Sequence, residues 1–207
     1  MAYYLLNSLR GSYLKHIRGI VFDLDGTLVT SNLNFNLIRS ELGCPDELDL
    51  LTYIDRLSAS EKVEAEAIIH RHEVYDAEHS EWLPGAETFV QRCIESKLPL
   101  AILTRNSDFS SRQKIAKNKI PISYLITREN AKPKPDPSAL NQIASAFALP
   151  NESVLMVGDY KYDLQAGRNA NMATCLVNCE GEPDYLHLAD YRFQSFIHFH
   201  DAFFEER

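Results

Sequence analysis

The chain has 207 residues, of which 45% are hydrophobic and 24% charged, and this ordinary composition excludes a disordered, collagenous or coiled-coil protein. Its formal charge of −8 argues against the basic face that binding to DNA, RNA or anionic lipid requires. No apolar run approaches the length of about 18 residues that crosses a membrane. We therefore expect neither a nucleic acid nor a membrane partner, whereas an anionic small substrate needs only one local cation or metal ion.

The cysteines and the first residues indicate the compartment. The four cysteines form no Cys-x-x-Cys pair, which favours buried thiols in a reducing environment over a disulfide or a zinc site. The first ten residues carry their single charge at the end and do not resemble a secretory signal. We expect a cytoplasmic protein, either a monomer or a homodimer.

Short apolar strands alternate with helices along most of the chain. After an N-terminal extension, residues 1–17, the run at 17–22 predicts a buried strand that ends in a turn. Further strands are predicted at 99–104, 122–127, 153–157, 173–178 and 191–196, and helices at 86–96, 111–118, 138–148, 163–170 and the C-terminal end. The alternation predicts an α/β fold with a doubly wound parallel sheet, whose chemistry lies at the carboxyl ends of the strands.

Residues 31–82 interrupt the alternation. They contain helical patterns at about 35–42, 47–57 and 60–79 and no strand pattern. A helical insertion directly after the turn of the first strand would overhang the carboxyl ends of the strands as a small cap. We therefore expect a core domain of residues 1–30 and 83–207 and a helical cap of residues 31–82.

Two acidic motifs follow predicted strands. Asp23 and Asp25 are spaced i, i+2 at the end of the first strand and can project the same way, as a cation site or as a nucleophile and a general acid/base. A plain Asp-Gly turn is the competing interpretation. Asp159 follows another apolar strand, and Asp163 either faces it or stabilises the start of a helix. Acidic strand ends that face one crevice repel each other without a cation, which favours Mg²⁺.

A hydroxyl and two lysines complete the set of candidates. Thr104 ends a predicted strand and offers its hydroxyl to the same crevice, although a strand-terminal Thr needs no function. Lys132 and Lys134 each begin a Lys-Pro-x-Pro sequence, and a lysine held there can offset negative charge at a phosphoryl group. A solvated surface lysine is the alternative for both.

Taken in order, Asp-Leu-Asp-Gly-Thr, Thr104, Lys-Pro-x-Pro and Gly-Asp-x-x-x-Asp resemble the motifs of the haloacid dehalogenase (HAD) superfamily, over residues 18–196. The core is similar to the phosphoglycolate-phosphatase-like branch of subfamily I, and the inserted segment looks like its C1 cap. The resemblance implies a Rossmann-like core and a Mg²⁺-dependent phosphatase that acts on a small phosphorylated metabolite. The Asp-Lys-Thr-Gly-Thr motif of transport ATPases is absent.

The resemblance also implies roles for the motif residues. Asp23 would attack phosphorus, and Asp23, the Asp25 carbonyl and Asp159 would hold Mg²⁺. Asp25 would protonate the leaving oxygen and then accept a proton from water. Thr104 would bind a phosphoryl oxygen.

The lysine and its neighbour follow from the same resemblance. Lys134 lies twenty-five residues before Asp159, which suits the family's spacing, and Lys132 is the weaker candidate. Asp163 would orient the lysine or a metal-bound water.

Substrate choice is expected to lie with the cap and the residues that face it. Arg105 and Asn106 follow Thr104, and Arg71 lies on the long cap helix, where a solvated face with ion pairs is the alternative. Two other functions stay open, namely a phosphomutase of the same superfamily and a non-catalytic HAD-fold binding protein.

Overall fold

The computed structural model describes residues 11–205, with side chains described from residue 14 onward. Six parallel strands form one sheet in the order β3-β2-β1-β4-β5-β6. They are β1 (Gly19–Phe22), β2 (Leu100–Leu103), β3 (Tyr124–Ile126), β4 (Val154–Gly158), β5 (Ala173–Val177) and β6 (Tyr191–Phe193). The predicted doubly wound parallel sheet is confirmed, and its order reverses at β1, where such folds place their site. Of the expected N-terminal extension, residues 1–10 lie outside the described residues.

Five helices cover the sheet: α4 (Ala86–Glu95), α5 (Asp108–Lys117), α6 (Ser138–Ala146), α7 (Lys161–Asn169) and α8 (Phe196–Phe204). Strand β1 is buried on both faces, because Ile20 and Phe22 belong to one apolar cluster with α4 and α8, while Val21 belongs to another with α6 and α7. A strand that is covered on both faces has a continuous apolar sequence, and this is the pattern from which a buried strand is predicted at residues 17–22.

Three helices lie between β1 and β2 in the chain: α1 (Phe35–Leu42), α2 (Leu50–Asp55) and α3 (Ala59–His79). They share a small apolar cluster of their own that includes Ile38, Ile54 and Ile69. Helix α3 begins at a capping box formed by Ser58 and Glu61. It also packs against α5 of the core.

Some element boundaries differ from the predictions. Helix α2 is shorter than the predicted helix at 47–57, because Asp49 caps its start by accepting from the Thr52 N–H. Helix α5 begins earlier than predicted, because Ser107 caps it. The predicted strand at 191–196 stops at Phe193, and Ser195 caps α8 instead.

The inserted helices leave and rejoin the core at adjacent points. Val29 and Trp82 form an antiparallel bridge. The Thr30 N–H donates to the Glu81 carbonyl at 2.8 Å, and the Leu83 N–H donates to the Leu28 carbonyl at 2.9 Å. Within residues 11–205, no helix has the length and apolar character needed to cross a membrane.

Candidate active site

The turn after β1 presents two carboxylates at the sheet edge. The Asp23 N–H donates to the Val157 carbonyl of β4 at 2.9 Å, which extends the sheet by one residue and fixes the Asp23 backbone. Gly26 has a φ of +74°, and a Cβ there would lie 2.4 Å from Asp159 Oδ2. Glycine therefore allows both the left-handed turn and the close approach of Asp159.

Asp23, Asp159 and Asp163 form an acidic cluster, because one carboxylate oxygen of each lies within 4.8 Å of the others. Thr27 Oγ1 donates to Asp159 Oδ1 at 3.0 Å and fixes that carboxylate. Burial raises the pKa of Asp23 to about 7, although Lys134 opposes the rise. Burial, together with repulsion from Asp23, raises the pKa of Asp159 to about 8. The cluster thus holds more negative charge than its own surroundings neutralise.

A hard divalent cation fits this cluster. The available ligand atoms are carboxylate and carbonyl oxygens, which Mg²⁺ prefers over nitrogen or sulfur. Burial leaves both carboxylates poorly solvated and raises the pKa of each, with repulsion from Asp23 adding to the rise at Asp159, and a cation between them would offset both effects.

Of the two candidate lysines, Lys134 lies in the site. Its Nζ donates to Asp23 Oδ1 at 2.5 Å, to Asp163 Oδ1 at 2.6 Å and to the Leu103 carbonyl at 2.8 Å, which uses all three protons of the ammonium group. Burial disfavours its charge, but the two carboxylates more than offset this, so the pKa of Lys134 is raised. Lys132 is exposed.

Thr104 and Asn106 stand at the carboxyl end of β2. Thr104 is buried, and its Oγ1 accepts from the Asn106 N–H at 3.2 Å. The Asn106 side chain turns the other way, and its Nδ2 donates to Asp25 Oδ2. Thr104 thus lies at the same edge of the sheet as Asp23, while Asn106 contacts Asp25.

A buried lysine that the sequence analysis missed also contacts Asp25. Lys114 of α5 is fully buried, and its Nζ donates to Asp25 Oδ1 and, at 2.5 Å, to Asp76 Oδ2 of α3. Burial raises the pKa of Asp25, and Lys114 limits that rise. The sequence around Lys114 has the polar character of a surface helix, so it carries no local signal of burial.

A cavity of about 580 Å³ opens above these residues. The core contributes the acidic cluster, Asp25, Thr104, Asn106 and Lys134. The inserted helices and the segment before them contribute an apolar wall that comprises Leu33, Phe35, Ile38, Leu50, Leu51 and Ile69. The space is large enough for a small organic molecule and combines a polar floor with an apolar wall.

Arg105 lines this cavity and bridges the inserted helices and the core. Its guanidinium donates to both carboxylate oxygens of Asp49, at 2.8 and 2.7 Å, and lies 4.2 Å from the ring centroid of Tyr162. Both bonds come from Nη2, and this charged pair joins Arg105 to the start of α2.

The hypothesis that Arg71 binds substrate finds no support in its position. Arg71 lies outside the set of described residues that line the cavity, and its Nη2 donates to Glu41 Oε2 at 3.2 Å on the surface. Glu73, two residues later on α3, lines the cavity instead and pairs with Arg128 and Ser107. Residues 71 and 73 are separated by about 200° around a helix, so only one of them can face the core.

The sequence profile of the haloacid dehalogenase-like hydrolases matches residues 38–177. The chain belongs to this family. It is 33% identical over 180 residues to the uncharacterized hydrolase YOR131C of Saccharomyces cerevisiae, covering 83% of this chain and 81% of that one. It is 28% identical over 197 residues to a phosphoglycolate phosphatase of Chromobacterium violaceum, covering 79% and 86% of the two chains.

A solved structure shares the fold of this HAD-like hydrolase. The predicted phosphoglycolate phosphatase from Haemophilus somnus 129pt superimposes with a TM-score of 0.72 at 18% identity, covering 93% of this chain and 99% of that one. At this identity the similarity concerns the fold alone.

In this hydrolase, three kinds of chemical group surround the carboxylate of Asp23. Asp23 belongs to the oxygen-rich cluster that suits a cation, and its Oδ1 also accepts from the ammonium group of Lys134. Asp25 stands two residues away with its carboxylate fixed by Asn106 and Lys114. A nucleophilic carboxylate, a charge-neutralising pair and a separate acid/base are the groups that hydrolysis through a covalent intermediate requires.

Proposed function

We propose that the protein is a Mg²⁺-dependent phosphatase that hydrolyses a small phosphorylated metabolite through an aspartyl-phosphate on Asp23. The observation that carries the proposal is that Asp23 belongs to the acidic cluster that suits a cation and is also paired with Lys134. The name of the relative from Chromobacterium violaceum supports phosphate ester hydrolysis as the reaction.

In the first step an Asp23 carboxylate oxygen attacks phosphorus, and the bond from phosphorus to the ester oxygen breaks. Asp25 gives its proton to the leaving oxygen, and the raised pKa of its buried carboxyl suits a group that starts the step protonated. The Thr104 hydroxyl binds a phosphoryl oxygen, and the ammonium group of Lys134, held against Asp23, offsets the negative charge that develops during transfer. Asp23, Asp159 and the Asp25 carbonyl would hold Mg²⁺, which would supply positive charge for the transferring group.

In the second step a water oxygen attacks phosphorus and releases phosphate. Asp25, now deprotonated, takes the proton of that water, and the bond between phosphorus and the Asp23 oxygen breaks. Asp163 accepts from Lys134 as Asp23 does and so helps to hold it in place. The pair of steps returns both aspartates to their starting states.

We assign the inserted residues 31–82 as a cap and residues 1–30 with 83–207 as the core domain. The wall that these helices add to the cavity supports this division, because every residue of the proposed chemistry comes from the core. Arg105, paired with Asp49 of the cap, and Asn106 are the residues that meet the organic part of the substrate at the boundary.

Phosphate release from p-nitrophenyl phosphate and a panel of metabolite phosphates, in Mg²⁺ and in EDTA, tests the proposal. We expect turnover that requires Mg²⁺ and is lost in Asp23→Asn. Asp55→Asn is the matched control, since this carboxylate is exposed and outside the cavity. Absence of turnover by folded protein would contradict hydrolysis. A trapped phosphoenzyme would then indicate a mutase, and its absence a binding protein.

A further inference from the structure

We propose that Lys114 is a positioning residue for Asp25, anchored by Asp76 of α3, and that it sets how well the enzyme cleaves esters whose leaving group needs a proton. This inference rests on the proposed function, in which Asp25 protonates the leaving oxygen. It adds a residue that lies outside all four sequence motifs.

The Asp25 carboxylate is fixed by one donor on each oxygen. Lys114 Nζ donates to Oδ1, and Asn106 Nδ2 donates to Oδ2. Two donors on opposite oxygens prevent the carboxylate from rotating about the bond to its Cβ. With Lys114 removed, only Asn106 would hold the group, and the oxygen that carries the proton would no longer have one orientation.

Asp76 anchors the lysine from the other side. Asp76 Oδ2 accepts from Lys114 Nζ at 2.5 Å and from Ser31 Oγ at 3.0 Å, while Oδ1 accepts from the Asn32 N–H at 2.5 Å. Asp76 is therefore held by the segment through which the chain enters the cap. Lys114 connects this anchor to the acid/base without touching the cavity itself.

A purely structural role for Lys114, as a link between α3 and α5, does not explain why its charged ammonium group is buried. Lys117, three residues later on α5, already joins the same two parts of the molecule by donating to the Ser80 carbonyl from an exposed position. Burying an ammonium group with two carboxylates is costly, and apolar side chains of similar size pack as well or better. The placement of Lys114 is accounted for by its contact with Asp25.

The test compares two esters of similar shape. p-Nitrophenolate is a stable leaving group that departs without a proton, whereas phenolate, whose conjugate acid has a pKa of about 10 like that of tyrosine, benefits from protonation. The value of kcat/KM reports the steps up to departure of the leaving group, so its ratio for the two esters measures how well Asp25 delivers its proton.

We expect Lys114→Met to lower kcat/KM about 100-fold for phenyl phosphate, the lower end of the range for general acid catalysis. The loss for p-nitrophenyl phosphate should be less than about tenfold, and Asp25→Asn should shift the ratio in the same direction and further. Lys117→Met is the matched control and should leave the ratio as in the wild type. Asp76→Asn should give a smaller shift of the same sign.

The outcomes separate the two proposals. A normal ratio in folded Lys114→Met, while Asp25→Asn changes it, would overturn the role of Lys114 and leave the phosphatase intact. Where Lys114→Met fails to fold, a normal ratio in Asp76→Asn would overturn it equally. An equal shift in Lys117→Met would show that loosening α5, and not the contact with Asp25, is responsible. A wild type that cleaves neither these two esters nor any metabolite phosphate of the panel would overturn the proposed function and this inference with it.

Discussion

Replacing Gly26 by alanine tests whether Asp159 holds the metal. Gly26 has a φ of +74°, and alanine in the left-handed region costs about 1–2 kcal/mol of stability. The added Cβ would also lie 2.4 Å from Asp159 Oδ2, so the carboxylate has to retreat by roughly 1 Å to reach ordinary van der Waals distance. Mg²⁺ demands ligand distances of about 2.0–2.1 Å, and a displacement of this size removes one ligand.

We therefore expect Gly26→Ala to need about 10–100-fold more Mg²⁺ for half-maximal phosphate release, the range seen when a metal site loses a supporting contact. Gly43→Ala is the matched control, because Gly43 has a φ of +65° and nothing within 4 Å of its added Cβ. Both variants should lose similar stability in thermal unfolding, and only Gly26→Ala should change its Mg²⁺ requirement. An unchanged requirement in Gly26→Ala, or an equal change in Gly43→Ala, would refute the reasoning.

Two further predictions concern charge in the site. Lys134→Met removes the ammonium group that pairs with Asp23 and Asp163. We therefore expect loss of turnover and a drop of about 3–5 kcal/mol in the free energy of unfolding by urea. Lys132→Met should change this free energy by less than about 0.5 kcal/mol. Equal effects of the two variants would contradict the assignment of Lys134. Burial raises the pKa values of Asp23 and Asp159 to about 7 and about 8, whereas both are about 3.9 in the unfolded chain. Between these pH limits the folded state therefore binds more protons than the unfolded state. The metal-free protein should lose stability as the pH rises from about 4 to about 8. The melting temperature measured in EDTA should fall over this pH range, and Mg²⁺ should reduce the fall. A melting temperature in EDTA that rises with pH in Asp159→Asn and in the wild type alike would contradict the prediction.

The strands of the sheet, and the site residues that follow them, could be predicted from the sequence. Continuous apolar runs such as Leu155 to Val157 identify strands buried on both faces, and parallel strands bring their carboxyl ends to one edge. This is enough to place Asp23 near Asp159. The choice of Lys134 over Lys132 depended on spacing along the chain, and the structure places Lys134 against Asp23.

The contacts between the helices could not be predicted in the same way. Glu73, Asp76 and Lys114 are charged residues in helices whose sequences look solvated, and only the packing of α3 on α5 buries them. Ion pairs between distant elements leave no periodic pattern, since each partner alone is an ordinary surface residue. Arg71 is the opposite case, a plausible ligand by type that the helical rotation turns toward Glu41.

The two segments that join the inserted helices to the core affect which other insertions the core could carry. Because Val29 and Trp82 are bridged, the ends of the core are already tied together where the insertion begins and stops, and insertions of different length can be exchanged there without disturbing the sheet. The exchange is constrained at one place. A transplanted insertion has to bring an acid to the position of Asp76, or Lys114 is left buried beside Asp25 alone. A new insertion is therefore compatible with this core only when it supplies a carboxylate that pairs with Lys114.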